Sequence, residues 1–132
     1  LIALDRLAKG SFTRETLFAC HHFLKKNNGM LIIYTEGTRS VTGQIASFQK
    51  GAAYIALKLG VPIVPAYIQG SFEAFPKGKS MVRPGKCEVT FGAAITSNEI
   101  NALQAKTATE KADLLTELMY AKVKNLGVQV EK

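Results

Sequence analysis

The sequence predicts an α/β fold, with an open and largely parallel sheet flanked by helices. Short apolar runs alternate with longer stretches of helical periodicity, which is the order that a parallel sheet with crossover helices produces. Residues 30–34 and 61–69 are apolar almost throughout, as in strands that are buried on both faces. Glycine or asparagine residues end the helical stretches. A length of 132 residues is that of one domain.

Apolar periodicity and turn residues place a strand–helix–strand–helix–strand unit before a further strand and a helix. The predicted elements are strand 1–4, helix 11–28, strand 30–34, helix 48–59, strand 61–69, strand 86–91 and helix 107–126, with loops at 35–47 and 70–85. Ser11 or Thr13 caps the first helix. Pro65 lies inside a predicted strand and requires a sheet edge or a bulge there.

Helix boundaries in the second half of the chain follow from recognisable local signals. Gly60 is predicted to close the second helix and Gly127 the last one, each just after the final helical residue. A hydroxyl residue followed three positions later by a glutamate is the capping-box pattern, and it occurs at Thr96 with Glu99 and at Thr107 with Glu110.

The charge is unevenly distributed along the chain. Residues 1–86 contain 12 basic and 4 acidic side chains, whereas residues 87–132 contain 5 and 6. Such an excess indicates an anionic partner, namely a phosphate ligand, an anionic lipid surface or nucleic acid, or simply a soluble basic protein. Cys20 and Cys87 form no paired motif, which disfavours a disulfide scaffold or a zinc module and favours a reducing compartment. Aromatic residues do not interleave with the basic ones, so nucleic acid is not expected as a partner.

The loop after the second predicted strand carries the residues best suited to ligand chemistry. Ligands of open α/β sheets bind beyond the carboxyl ends of the strands, where this loop places Glu36, Gly37, Thr38, Arg39 and Ser40. Gly37 permits close approach of the backbone, Arg39 can hold a phosphate through two hydrogen bonds, and the hydroxyls add donors. Glu36 suits contact with an alcohol or with Arg39. The alternative is an ordinary loop with a surface ion pair.

The segment Glu36-Gly37-Thr38-Arg39-Ser40 resembles a block of the glycerol-phosphate and lysophospholipid acyltransferases. The resemblance covers residues 1–95 and continues, in the family's order, at Leu4-Asp5-Arg6, Phe48-Gln49-Lys50-Gly51, Val61-Pro62-Ile63-Val64-Pro65, Gln69-Gly70-Ser71 and Phe75-Pro76-Lys77-Gly78. One departure precedes the glutamate, where Tyr34-Thr35 stands in place of the family's Phe-Pro. The resemblance implies that residues 1–132 are the C-terminal portion of a single acyltransferase domain.

The resemblance also implies an activity and its partners. The complete enzyme would move a fatty acyl group from acyl-CoA or acyl-carrier protein to a lysophospholipid, most typically lysophosphatidic acid. The thioester is a co-substrate, and no cofactor or metal is expected. Because such acceptors reside in the bilayer, the resemblance implies association with the cytoplasmic side of a membrane, although no run of about 18 apolar residues spans one.

The resemblance assigns roles to individual residues. Arg6 and Arg39 would bind the acceptor phosphate, and Glu36 would contact or order the acceptor. The expected substrate-binding set is completed by residues that shape the loop, add donors, contact a phosphate or coenzyme A, or shape the pocket near the acyl chain: Gly37, Thr38, Ser40, Lys50 and Pro65.

The family's catalytic block is missing from this sequence. That block is His-x-x-x-x-Asp, in which histidine removes the proton of the attacking hydroxyl and aspartate orients the imidazole. Here His21 is followed five positions later by Lys26, and His22 by Asn27. In the family the block precedes the Leu-Asp-Arg segment, so it would fall before Leu1. No catalytic residue is therefore assigned here, and a non-catalytic module that binds phospholipid or phosphate is the alternative function.

We expect the 132-residue chain alone to be catalytically inert and either unstable or self-associated. A parallel sheet is covered on both faces, and without upstream helices part of its apolar surface would be bare. Purified chain would be assayed for acyl transfer and for oligomeric state by analytical ultracentrifugation. Measurable acyl transfer by this chain would contradict the first half of the prediction.

Overall fold

A computed structural model describes residues 14–26 and 29–130. The chain divides into two compact units, Leu1–Ile33 and Tyr34–Lys132. The predicted strand 1–4, Arg6 and the two candidate caps of the first helix lie outside the described residues.

The first unit contributes helix α1, Arg14–Lys26. Cys20 is buried on this helix, and burial raises the pKa of its thiol. His21 and His22 are exposed, and the ring of His22 stacks on Phe18 with 6.5 Å between centroids. Neither histidine therefore occupies an enclosed site on this helix.

The second unit contains four helices and two strands in the described residues. In chain order they are α2 Gly51–Leu59, β1 Ala66–Gln69, α3 Ser71–Ala74, β2 Glu88–Phe91, α4 Ser97–Ala102 and α5 Ala108–Val130. Helix α3 lies inside the segment 70–85 that was predicted to be a loop throughout. Strand β1 is shorter than predicted because it begins only after Pro65, whose nitrogen carries no hydrogen to donate.

The paired strands of the described region form an antiparallel ribbon. Ala66 pairs with Phe91 and Gln69 with Glu88, and an isolated antiparallel bridge joins Ile63 to Ile95. The connection over residues 70–87 contains only the single turn α3, so the chain returns beside β1 instead of crossing over to a parallel position.

The expectation of a largely parallel sheet is therefore not met by the described residues. Residues 30–34, predicted as a buried strand, form no strand pairing, and Met30 and Ile32 are exposed. An apolar run favours an extended strand, but pairing depends on a neighbouring strand that local periodicity does not specify.

Local signals placed several helix ends correctly. Gly60 takes a left-handed conformation (φ 65°) after α2, and its N–H donates to the carbonyl of Ala56. The capping box at α4 is complete, since the Glu99 carboxylate accepts from the Thr96 N–H at 2.7 Å and the Thr96 hydroxyl accepts from the Glu99 N–H at 3.2 Å. The hydrogen bond from the Thr96 backbone is the main reason that the pKa of Glu99 is lowered.

Gly127 does not end the last helix, contrary to prediction. Helix α5 continues to Val130, and Gly127 is buried within it. A Cβ at this position would lie 3.2 Å from the ring of Tyr67 on β1. The glycine therefore serves close approach between a helix and a strand, for which the sequence gives no separate signal.

Helix α5 provides the centre of the second unit, against which both α2 and β1 pack. The buried side chains are small or aliphatic and comprise Ala52, Ala53, Ile55, Ala56, Ile95, Ile100, Ala112, Leu115 and Met119. The small alanine side chains of α2 allow α2 and α5 to pack closely. Just before α2, the ring of Phe48 meets that of Tyr120 edge-to-face with 5.3 Å between centroids. Within the described segments no helix has both the length and the apolar content needed to cross a bilayer.

Gly70 is expected to tolerate no side chain. Its φ is 81°, and a Cβ there would lie 2.0 Å from the carbonyl oxygen of Lys86. Gly78 is the matched control because its φ is 86° and nothing lies within 4 Å of its Cβ position. We expect Gly78→Ala to lower the free energy of unfolding by about 1–2 kcal/mol, the cost of the left-handed backbone. Gly70→Ala should cost clearly more in denaturant titrations, and equal losses would contradict the clash.

Candidate functional site

The loop formed by residues 34–47 is held in shape by its own polar groups. The Gly37 N–H donates to the carbonyl of Tyr34 at 3.0 Å, with Gly37 at φ 71°. The Glu36 carboxylate accepts from the Ala46 N–H at 2.9 Å, which joins the two arms of the loop. Just beyond, the Gln49 N–H donates to the carbonyl of Thr35 at 2.7 Å. These bonds fix the backbone that carries Thr38 and Arg39.

Ser40 organises the tip of the same loop. Its hydroxyl donates to the carbonyl of Gln44 at 3.0 Å and accepts from the N–H of Gly43 at 2.9 Å. The Thr42 hydroxyl accepts a weaker bond from the Gln44 N–H at 3.3 Å. Ser40 therefore acts within the loop, as expected for a residue that shapes it, while Thr38 is exposed.

Arg39 rests on an aromatic platform supplied by a segment distant in sequence. Its guanidinium carbon lies 4.2 Å from the centroid of the Phe75 ring, and one guanidinium nitrogen lies 3.5 Å from the carbonyl oxygen of Pro76. The cation–π contact orients the guanidinium plane, and the 3.5 Å hydrogen bond is weak. The exposed side chain keeps donors available for an oxyanion, in the geometry that suits a phosphate.

The same segment also supports the far side of the loop. Gly43 has φ 82°, and a Cβ on it would lie 3.1 Å from the ring of Phe72 on α3. Helix α3 and the two residues after it thus contact the loop at Gly43 and at Arg39. We call residues 71–76 the platform segment.

Glu36 does not hold Arg39 in place, which was one of the two roles that its chemistry allowed. Its carboxylate instead accepts the Ala46 N–H, and Arg39 is positioned by Phe75. The separation leaves the guanidinium charge without a carboxylate partner among the described residues. An exposed cation without a paired anion is better suited to bind a phosphate than one already neutralised.

Lys50 lies at the entrance to α2 and pairs with a residue of α5. Its ammonium lies 2.5 Å from the carboxylate of Asp113. The hydrogen bond to Asp113 raises the pKa of Lys50. In this arrangement Lys50 joins two helices, and a ligand phosphate would have to compete with Asp113 for it.

Pro65 is buried where the chain enters β1. Its carbonyl accepts the N–H of Gly92 at 2.9 Å, and its ring lies against the Gly92 Cα, whose added Cβ would approach it to 3.2 Å. Among the described residues no hydrogen bond or ion pair links Pro65 to residues 36–40.

The sequence identified the loop but not what supports it. Glu36, Gly37, Thr38, Arg39 and Ser40 share one ordered loop, whereas Arg6 lies outside the described residues. The contacts of Arg39 with Phe75 and of Lys50 with Asp113 join positions far apart in the chain. Phe75 stood in a segment that resembles the family pattern, yet its position in sequence carried no signal that it would lie beneath Arg39.

Comparisons with known proteins give a consistent result. The family model described as Acyltransferase matches residues 2–69. The chain is 40% identical over 74 residues to a 1-acyl-sn-glycerol-3-phosphate acyltransferase of Cocos nucifera, covering 56% of this chain and 24% of that protein. It is 30% identical over 127 residues to the Saccharomyces cerevisiae protein of the same name, covering 89% of this chain and 41% of that protein.

A solved structure shares the fold. The structure is similar to the crystal structure of the 1-acyl-sn-glycerophosphate (LPA) acyltransferase PlsC from Thermotoga maritima, with a TM-score of 0.61 and 29% identity. The match covers 85% of this chain and 44% of that one. The chain thus spans less than half the length of each of these three relatives.

The pairing of Lys50 with Asp113 generates a prediction that separates two roles for the lysine. If Lys50 only joins α2 to α5, then Lys50→Ala and Asp113→Asn should lower the thermal midpoint similarly and leave all KM values unchanged. If Lys50 also contacts a donor phosphate, Lys50→Ala alone should raise the KM for acyl-CoA. We expect the second outcome, measured by steady-state kinetics of the full-length protein, and an unchanged donor KM in both variants would contradict it.

Proposed function

Because this chain belongs to the Acyltransferase family, we propose that it forms part of an enzyme that acylates lysophosphatidic acid. The acyl group would come from acyl-CoA or from acyl-carrier protein. The observation that carries the proposal is the match of residues 2–69, which include the whole candidate loop, to the family. Relatives named as 1-acyl-sn-glycerol-3-phosphate acyltransferases support the acceptor.

The site chemistry fits an acceptor that carries a phosphate. Arg39 presents an oriented, exposed guanidinium from a loop whose backbone is held by Glu36 and Ser40. In our proposal Arg39 and Arg6 bind the acceptor phosphate, and Thr38 adds a hydroxyl donor. Gly37 keeps the start of the loop tight, so that no Cβ intrudes between the backbone and a ligand.

Glu36 has a supporting role in this proposal. One oxygen of its carboxylate accepts the Ala46 N–H and orders the loop. The carboxylate can accept a second hydrogen bond, for which an acceptor hydroxyl is a suitable donor. Glu36 would thereby order the acceptor while keeping the loop closed.

Acyl transfer needs a base that removes the proton of the attacking hydroxyl as it bonds to the thioester carbonyl. We assign no such base to this chain, since neither His21 nor His22 has an aspartate five positions later. In our proposal the base belongs to another part of the full-length protein.

The remaining predicted elements take their places in the same proposal. Residues 30–34 would form a strand of a larger, partly parallel sheet in the full-length protein, which would cover Met30 and Ile32. Pro65 would shape the pocket near the acyl chain. The enzyme would act at the cytoplasmic side of a membrane, where its acceptor resides.

The acceptor assignment predicts the effect of removing either arginine. Arg6→Ala and Arg39→Ala should each raise the KM for lysophosphatidic acid by about 10- to 100-fold, because each loses a charge-assisted hydrogen bond to the phosphate. The KM for the acyl donor should stay within about twofold of wild type. Lys58→Ala, which removes an exposed cation from α2, is the matched control. Wild-type kinetics in both arginine variants would refute the assignment.

The aromatic platform gives this test a further arm. Phe75→Leu removes the cation–π contact and should raise the acceptor KM by about two- to fivefold. In the double variant with Arg39→Ala, this increase should disappear, because Phe75 acts only by orienting Arg39. An additive increase would show that Phe75 affects acceptor binding by another route.

A non-catalytic phosphate-binding module of the same fold remains the alternative, favoured by the two histidines that do not match the catalytic pattern. Full-length protein that binds lysophosphatidic acid through Arg39 but transfers no acyl group would support it. The coding sequence upstream of Leu1 gives an independent check, because a His-x-x-x-x-Asp block there supports the enzyme.

A further inference from the structure

A short exposed loop, residues 76–84, follows the platform segment, and we call it the basic loop. The Arg83 N–H donates to the carbonyl of Ala74 at 2.8 Å, so the two ends of the loop are joined. At the start of the loop the Lys79 N–H donates to the carbonyl of Pro76 at 3.3 Å, in a turn that places Gly78 at φ 86°. The basic loop is therefore held in shape by hydrogen bonds at its base and at its first turn.

The basic loop presents two adjacent apolar side chains to solvent, on the arm that returns to its base. Met81 is 80% exposed and Val82 is 66% exposed, and Met81 is the most exposed large apolar residue in the described part of the chain. Single exposed apolar residues are ordinary on protein surfaces. Two neighbouring ones on an exposed, hydrogen-bonded loop indicate a surface that is covered by a partner.

Positively charged residues flank Met81 and Val82 in the sequence. Lys77, Lys79 and Arg83 form no ion pair with any residue that the structure describes, and Lys86 is paired with Glu88 at 2.7 Å. Residues 74–87 include no acidic side chain. The loop therefore combines two exposed apolar side chains with three cations that form no ion pair among the described residues.

We propose that the basic loop docks on an anionic lipid surface, with Met81 and Val82 inserted among the acyl chains. Lys77, Lys79 and Arg83 would then lie at the level of the headgroups, where each cation gains from the negative surface potential. The proposal rests on the proposed function, since it names the element that brings the acceptor site to its substrate.

The chemistry of the loop favours lipid over two other anionic partners. The loop offers no aromatic ring on which a nucleic-acid base could stack. A stable interface with an acidic protein buries about 800 Å² on each partner and needs a complementary shape. One narrow loop supplies too little surface for that, whereas a bilayer accepts two aliphatic side chains without a preformed pocket.

The basic loop is directly connected to the candidate site. Arg39 lies on Phe75 and contacts the carbonyl of Pro76, at the residue where the basic loop begins. Insertion of Met81 and Val82 would therefore bring Arg39 toward the headgroup region, where the phosphate of a lysophospholipid lies. The acceptor would reach Arg39 without leaving the membrane surface.

An environment-sensitive fluorophore attached at position 81 tests the proposal. Full-length protein carrying Cys87→Ser and Met81→Cys would be labelled and mixed with phosphatidylcholine vesicles containing about one-third phosphatidylglycerol. We expect a blue shift of the emission and quenching by lipids that carry a spin label on the acyl chain. The same fluorophore at Asn98→Cys, an exposed position on α4, should not respond. Because each label reports only on its own surroundings, the comparison is valid even if other parts of the protein also bind the membrane.

Charge removal provides the second arm. Lys77→Gln, Lys79→Gln and Arg83→Gln together should raise the vesicle concentration for half-maximal response by about fivefold per cation. An unchanged response in this triple variant would overturn the role of charge. A silent label at position 81, or one that responds to acyl-carrier protein and not to vesicles, would overturn the proposal.

An activity assay separates this proposal from the proposed function. Acyl transfer to detergent-dispersed lysophosphatidic acid should be equal for wild type and Met81→Ser/Val82→Ser, because detergent removes the need to dock on a bilayer. If neither protein transfers acyl groups while the label still inserts, the enzyme assignment fails and the loop assignment stands. If both are active and the label is silent, the loop assignment alone fails.

Discussion

Packing against helix α5 determines where the candidate site is formed. One part of the helix packs against α2, and two residues just before α2 contact it, Phe48 on Tyr120 and Lys50 on Asp113. Further along, Gly127 receives the ring of Tyr67 from β1. The candidate loop runs into α2 and the platform segment follows β1. Burial of a few aliphatic side chains on α5 thus fixes both supports of the site.

Once these supports are fixed, the loop is shaped by polar groups that satisfy one another. Glu36 and Ser40 accept hydrogen bonds from backbone N–H groups of the opposite arm. These hydrogen bonds restrict the conformations that the loop can take. Because Glu36 and Ser40 form hydrogen bonds within the loop, Arg39 is the charged residue of the loop that forms no ion pair among the described residues. A loop that confines its acidic side chain and exposes its cation is suited to a phosphate ligand.

The basic loop is connected to the candidate loop through the platform segment. The platform segment contacts the candidate loop through Phe72 and Phe75 and leads directly into the basic loop. A single short stretch therefore joins Arg39 to the exposed Met81 and Val82. If the acceptor is a lysophospholipid, as we propose, this stretch would bring Arg39 to it at the membrane surface. Part of the positive charge of residues 1–86 thus lies at the candidate loop and the basic loop.

Local signals in the sequence determined the capping box of Thr96 and Glu99, the end of α2 at Gly60, and the ordered motifs by which the family resemblance was recognised. These features depend on neighbours within a few residues, where conformational preference and spacing suffice. Only the tertiary structure decided the antiparallel pairing of β1 with β2, the continuation of α5 through Gly127, the platform beneath Arg39 and the partner of Lys50. Each of these is a contact between distant segments whose geometry is set by packing, and one sequence read residue by residue contains no record of which distant side chain will lie opposite.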